Sequence, residues 1–231
     1  MSNSKIYLLG RANALQAKII LEQLSSKLIL IHKEIIFLTD ATDGKAAMAC
    51  ENLKIPLIIV NFENIFESLS LISEPESSYL ICIGWDRILP SNFLCSFSKC
   101  INVHGGLLPD YRGQRPYSHV YANVENEYGV TAHFMNEKFD DGNIIIQQKL
   151  KLFIDETPEI IHRRICEIAG IIIPIAIYLV ESGYEGEKQK GEARYFFRMT
   201  REEMDNIRQY NIEAIRQRSD KMVTAHKKWI I

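Results

Sequence analysis

INVHGGLLPDYRG, Ile101 to Gly113, runs from an apolar stretch into a turn-forming segment and sets an amide and an imidazole at the junction. Ile101–His104 reads as the end of a strand. Residues i and i+2 of a strand project to the same side, so Asn102 and His104 point together where the strand stops. Gly105 and Gly106 allow a backbone conformation, or a close approach, that a side chain would obstruct. Pro109 keeps the segment from becoming an ordinary helix interior. Two polar side chains aimed into a space that the backbone leaves open mark a candidate site.

Strands and helices alternate before this stretch. Lys5–Leu9 is an apolar run followed by Gly10 and a helical pattern at Ala14, Leu15, Ala17, Ile19, Leu21 and Leu24. Glu34–Leu38 reads as a second strand, Thr39–Gly44 as a turn and Lys45–Leu53 as a second helix. Leu57–Val60 is a third strand and Asn64–Ile72 a short helix. Tyr79–Ile83 is a fourth strand, uninterrupted in its hydrophobicity as buried parallel strands are, and Cys100–Val103 a fifth. After the opening stretch, Arg115–Val124 looks helical, and Val130–Met135 and Ile144–Leu152 are strands joined by NEKFDDGN. Thr157 opens a long helix, with Pro158 at its first position and Ile161, Ile165, Ile168 and Ile172 on one face, ending near Gly183. A polar loop, EGEKQKGEA, and a charged helix from Arg201 complete the chain. The predicted class is α/β, a Rossmann-like doubly wound, mainly parallel sheet that binds ligands at the carboxyl ends of its strands. Residues 1–183 form the expected catalytic domain and 184–231 a C-terminal extension.

Composition excludes several function classes. The 231 residues carry 27 Lys plus Arg against 29 Asp plus Glu, so no overall positive field advertises nucleic-acid binding. The 5 cysteines are odd in number and form no CxxC pair, which fits neither a disulfide framework nor a zinc knuckle. The spacing of His104, His119 and His133 matches no compact metal motif, so no metal is expected. No apolar leader precedes KIYLLG, and the most apolar stretch, Gly170–Val180, is too short to span a bilayer. The expectation is a cytoplasmic protein without a membrane or nucleic-acid partner.

A second informative stretch is GVTAHFMNEKFDDGNIIIQQ, Gly129 to Gln148, in which a strand enters a loop holding Asp140, Asp141 and Gly142. An amide, an imidazole and a carboxylate from separate loops suit one kind of reaction. The amide donates to a developing oxyanion, the imidazolium adds a second hydrogen bond, and the carboxylate sets the protonation of the imidazole.

With NVHGGLLPDYRG, GVTAH and FDDG in order, the chain resembles the tetrahydrofolate-dependent formyltransferases over roughly residues 5 to 150. By position, the resemblance makes Asn102 and His104 the oxyanion-stabilising pair and Asp140 the aspartate, with Asp141 beside it as a cofactor contact. YLICIGWDRILP matches the family segment that cradles the folate pteridine, which places Trp85, Asp86, Arg87, Ile88 and Leu89 along the cofactor. The family sets the loop after the Asn-x-His pair beside the substrate, which nominates Gly105, Tyr111, Arg112, Gln114 and Tyr117 for binding. His133 is read as structural or supporting. The implied reaction is direct transfer: a substrate amine attacks the formyl carbon of 10-formyltetrahydrofolate, without a covalent enzyme intermediate or a metal.

The acceptor is narrowed by departures from the family patterns. In LLGRANALQA, Arg11, Ala12, Asn13 and Ala14 replace the small, flexible phosphate cradle of the glycinamide ribonucleotide enzymes, and side chains obstruct such a nest of backbone donors. The tRNA enzymes carry a further C-terminal domain, whereas 48 residues follow Gly183 here. The remaining resemblance is to sugar N-formyltransferases, which act on nucleotide-linked amino sugars. Tyr184, Tyr195, Phe196, Phe197 and Arg198 of the extension then either bind the nucleotide or form a packing or dimer contact. A homodimer is expected. The alternatives are a phosphoribosylglycinamide or methionyl-tRNA formyltransferase, a formyltetrahydrofolate hydrolase, and a folate-binding regulatory protein without turnover.

Overall fold

The computed structural model describes residues 4–26, 33–61 and 63–227, with side chains described to residue 218. In chain order the elements are β1 (Ile6–Leu9), α1 (Leu15–Ser26), β2 (Ile35–Thr39), α2 (Lys45–Leu53), β3 (Leu57–Ile59), β4 (Tyr79–Cys82), α3 (Ser91–Leu94) and β5 (Lys99–His104). There follow β6 (Arg112–Gly113), α4 (Pro116–Asn123), β7 (Glu127–Phe134), β8 (Ile144–Lys151), α5 (Pro158–Glu181), β9 (Tyr195–Phe196) and α6 (Arg201–Lys227).

Seven strands form one sheet in the order β3-β2-β1-β4-β5-β7-β8. The first five are parallel, and β7 and β8 add to the edge antiparallel. Because β2 and β3 lie on one side of β1 while β4 and β5 lie on the other, the winding reverses between β1 and β4. That reversal opens a crevice at the carboxyl ends of the strands. The mainly parallel α/β sheet expected from the sequence is the one observed.

Alternation along each strand divides the core between the two faces of the sheet. Ile6, Leu8, Ile81, Ile101 and Val103 pack under α1 and α5 on one face. Tyr7, Leu9, Leu80, Cys82 and Cys100 pack with Phe93 and Phe97 on the other. The strands are therefore apolar at consecutive positions. α5 starts where Thr157 accepts a hydrogen bond from Ile160 N at 3.4 Å, with Pro158 inside the first turn where its missing N–H costs nothing. Among the described residues no helix is long and apolar enough to cross a membrane.

The helix expected over Asn64–Ile72 forms instead as a 3₁₀ helix, Ile65–Leu71. Asn61 Oδ1 accepts the N–H groups of Glu63 and Asn64, and Ser68 Oγ accepts the N–H of Asn61. Side chains that bond nearby backbone favour a tight turn over an α-helical ladder.

The extension is tied back to the body. β9 pairs with β6, and α6 packs along α4. The buried Arg208 of α6 donates to Tyr121 O and Ile154 O, both at 2.6 Å, with its guanidinium 4.2 Å from the centre of the Tyr121 ring. Hydrogen bonds from a charged donor contribute about 1.5–3 kcal/mol each.

Candidate active site

A cleft of about 680 Å³ opens at the carboxyl ends of β1, β4 and β5. Asn102 and His104, two apart on β5, both line it. Asp140 reaches them from the loop between β7 and β8. Asn102 Nδ2 donates to Asp140 Oδ1 at 3.1 Å and stands 3.1 Å from His133 Nε2. His133 Nδ1 faces the Phe134 carbonyl at 2.8 Å. A carbonyl only accepts, so Nδ1 carries the hydrogen and Nε2 accepts from Asn102.

The same argument fixes His104. Its Nε2 makes a short hydrogen bond to the Tyr111 carbonyl, so that nitrogen carries a hydrogen and Nδ1 is the one left to exchange a proton. Nδ1 lies 3.5 Å from Asp140 Oδ1. Gly106 makes this arrangement possible. A β-carbon there would stand 2.9 Å from the Tyr111 carbonyl oxygen and 3.0 Å from His104 Nε2.

Asp140 is buried, and burial alone would push its carboxyl up. The positive field of His104, the neighbouring His133 ring and the hydrogen bond from Gly113 N–H outweigh that and hold it well below the usual carboxylate range. Gly113 donates to Oδ2 at 2.9 Å. Its φ of +102° and a would-be β-carbon 2.3 Å from Phe196 O make any larger residue unfavourable there. The Cys82 thiol also lines the cleft, but burial raises it far above neutrality, so it stays protonated and unreactive.

The loop after β5 is supported from beneath. Thr131 Oγ1 donates to Gly106 O at 2.7 Å and accepts from Leu108 N, while Gln147 Nε2 donates to Leu108 O at 2.9 Å. The Leu108–Pro109 peptide is cis. These supports explain why the GVT segment and Gln147 accompany the Asn-x-His pair in the sequence.

The other expected site residues divide. Trp85, Asp86, Arg87, Ile88 and Leu89 form one wall of the cleft, and Gly105, Gln114 and Tyr117 lie opposite. Arg87 forms a two-pronged pair with Glu63 at 2.9 and 3.0 Å, and Asp86 lies 3.7 Å from Arg11. The side chains of Tyr111, Arg112 and Asp141, also expected at the site, lie behind the cleft wall. Tyr111 is buried, stacks on Phe196 with ring centres 4.9 Å apart, and bonds Glu125. Arg112 is buried in an ion pair with Asp141 and bonds Tyr195 and Gln189. They are the frame behind the wall.

Sequence reasoning missed Arg115, His162 and Phe139, which line the cleft, and Gln189, which supports it. Arg115 precedes Pro116 at the start of α4, a position that reads as an ordinary helix entry. Tyr117 stacks on His162, 4.4 Å between ring centres, and burial together with the nearby Arg115 charge pushes the His162 imidazole down. The extension also reaches the cleft, through Tyr195, Phe196, Phe197 and Arg198.

The loop after β1 contrasts with this. Arg11 N donates to Gly84 O at 3.2 Å, Ala12 N to Asp40 Oδ1 at 2.8 Å and Ala14 N to Arg11 O at 3.0 Å. Asp40 also pairs with Arg11 at 3.0 Å. Three of the backbone donors of this turn are thus taken, and a carboxylate sits among them.

Known proteins share both sequence and fold. Over 148 residues the chain is 29% identical to the phosphoribosylglycinamide formyltransferase of Haemophilus influenzae, covering 61% of this chain and 70% of that one. Over 136 residues it is 29% identical to the methionyl-tRNA formyltransferase of Buchnera aphidicola, covering 58% and 43%. The crystal structure of the N-formyltransferase from Helicobacter canadensis, in complex with folinic acid and dTDP-3-aminofucose, superposes with a TM-score of 0.65 at 20% identity, over 88% of this chain and 79% of that one. The chain spans about half the length or less of several curated relatives that it matches. Residues 9–177 match the formyl transferase family model, and the chain belongs to that family.

Proposed function

We propose that this protein transfers a formyl group from 10-formyltetrahydrofolate to the primary amine of a nucleotide-linked amino sugar. Family membership and the Asn102–His104–Asp140 cluster support the formyl transfer. The cleft is of a size usual for small-molecule sites, and its wall over residues 84–89 offers backbone groups beside the apolar surfaces of Trp85 and Leu89, which suits a pterin.

When an amine adds to a formyl carbon, charge collects on the formyl oxygen. An anionic oxygen accepts more strongly than a neutral imidazole nitrogen, so one Asn102 N–H turns from His133 Nε2 to that oxygen. A proton held on His104 Nδ1 supplies the second hydrogen bond. Asp140, ionised, keeps that proton on His104 and receives, through the imidazole or a water, the proton shed by the amine. The intermediate then collapses: the bond between the formyl carbon and N10 breaks, N10 takes up the proton shed by the amine, and tetrahydrofolate leaves, with no covalent link to the protein.

The acceptor is read from the loop after β1, the single observation that carries this choice. A phosphate held there would draw on free backbone donors, whereas Arg11, Ala12 and Ala14 have already donated theirs and the Asp40 carboxylate sits in the turn to repel it. Elsewhere in the cleft, Arg115 and Arg198 have no ion-pair partner among the described residues, while Arg11 and Arg87 are matched by acids. An acceptor whose phosphates approach from the α4 and β9 side fits that distribution of charge, and the exposed Phe197 offers a face for a base.

The test is turnover with 10-formyltetrahydrofolate and three kinds of amine: 3-amino or 4-amino deoxysugar nucleotides, glycinamide ribonucleotide, and methionyl initiator tRNA. Formylated sugar nucleotide by mass, with release of tetrahydrofolate, is the expected result. Comparable turnover of glycinamide ribonucleotide or of the tRNA would sink the choice of acceptor. Formate release without any amine product would make the protein a hydrolase.

A further inference from the structure

Asp140 is held from behind by a residue of the extension that the proposed reaction does not otherwise use. Asp140 is a non-glycine residue at φ +49°, in the left-handed region, so its backbone needs external support. Gln189 supplies it. Its Nε2 donates to Asp140 O at 2.8 Å and to Gly142 O at 2.9 Å, one amide hydrogen to each carbonyl. Its Oε1 accepts from Arg112 Nε at 3.2 Å and Nη2 at 2.8 Å. Carbonyls only accept and a guanidinium only donates, so the opposite orientation of the amide is excluded.

The register of this contact is fixed. Ile144 and Glu187 exchange both backbone hydrogen bonds at 2.8 Å, and Asn143 Nδ2 donates to Glu185 O. Residues 185–189 thus run along the loop that carries Asp140. Arg112 extends the brace to Asp141 and to Tyr195 Oη at 2.8 Å, joining three separate chain segments.

We propose that Gln189 is a positioning residue of this site: by bridging the carbonyls of Asp140 and Gly142 to Arg112, it holds Asp140 in the left-handed conformation that aims its carboxylate at Asn102 and His104. The proposal rests on the reading of Asp140 as part of the reaction. It assigns the extension a catalytic purpose beyond packing.

Two variants separate the parts of the brace. Gln189→Ala removes all of it. Gln189→Glu keeps the size and the acceptor for Arg112 but has no hydrogens for the two carbonyls. Both are expected to lose kcat on the order of ten- to a hundredfold, the cost of a small misplacement at a reacting centre, with KM for the folate unchanged. The Gly113 amide resonance, whose N–H binds Asp140 Oδ2, should move in both. The Asp140 carboxyl, faced by His104, His133 and the Gly113 N–H, with Arg112 and Asp141 on the loop's far side, should titrate higher in both, towards the ordinary aspartate range.

Wild-type kcat in Gln189→Glu would overturn the proposal, as would an unmoved Gly113 amide with an unmoved Asp140 titration. If Gln189→Ala fails to fold, Gln189→Glu decides alone, with a melting curve to show that it is intact. The two resonances do not depend on turnover. A failure of the formyl-transfer reading therefore shows in the amine panel and leaves the positioning test standing.

Discussion

The loops after β1 and after β5 start from the same situation. Each leaves the carboxyl end of a buried parallel strand, and both line one cleft. In the first, Arg11, Ala12 and Ala14 give their N–H groups to Gly84, Asp40 and the loop itself. In the second, Asn102 and His104 present side chains to the cleft, and their supports come from β7, β8 and the extension. A strand end whose polar groups bond one another is a wall. A strand end is equipped to act on a ligand when its polar groups are held by other elements and left facing the space.

The largest expected effect tests that contrast directly. Losing one oxyanion donor costs on the order of a hundred- to a thousandfold in turnover, so Asn102→Ala and His104→Ala should each fall that far. Asn13→Ala, on the first loop, should cost far less. Equal losses on the two loops would break the comparison. Melting temperatures should stay close to wild type for Asn102→Ala, because the residue is only half-buried at the edge of the core.

The two adjacent aspartates sharpen it further. Asp140→Asn keeps the side-chain shape, and asparagine tolerates the left-handed backbone, but the charge facing His104 is lost. Turnover should fall about a hundredfold or more, while folate still binds. Asp141→Asn acts only through Arg112, so its loss should be smaller, on the order of tenfold or less. The reverse ranking would mean that the carboxylate facing the cleft is not the one the reaction uses.

Much of this organisation was legible in the sequence because it depends on local pattern. The apolar runs of β1, β4 and β5 follow from burial on both faces, and the Asn102–His104 pair follows from strand alternation. Thr157 and Pro158 announced the start of α5. What stayed hidden depends on contacts between distant segments. β6 and β9 are two residues each and pair across 83 positions, too short for any periodicity to show. Tyr111 and Arg112 have the chemistry of binding residues, and only the fold shows that their side chains are buried. Gln189 sits in a polar stretch with no pattern at all, and Asp40 carries its role only because β2 ends beside the loop after β1. Local grammar identifies the strand end that carries the candidate site; tertiary contact decides what holds it there.

The smallest expected effect is on stability, and it concerns the charge on Asp140 in the second loop. Folding holds the Asp140 carboxyl below its ordinary value. A group with a depressed pKa in the folded state contributes stability that is fully present above its unfolded pKa, about 3.9 for aspartate, and that fades as the pH falls towards the folded value. Asp40, on the wall of the first loop, is bonded by Arg11, the Ala12 N–H and the Thr39 hydroxyl. Melting curves of wild type and Asp140→Asn, recorded from pH 7 down to about pH 2, should therefore keep a constant separation above about pH 5 and change it below about pH 4, with the wild type falling more steeply. Other carboxylates acidify in both proteins and cancel in the difference. Parallel curves throughout would show that folding does not favour the ionised form of Asp140. The electrostatic account of the second loop would then fail, even if the turnover results stood.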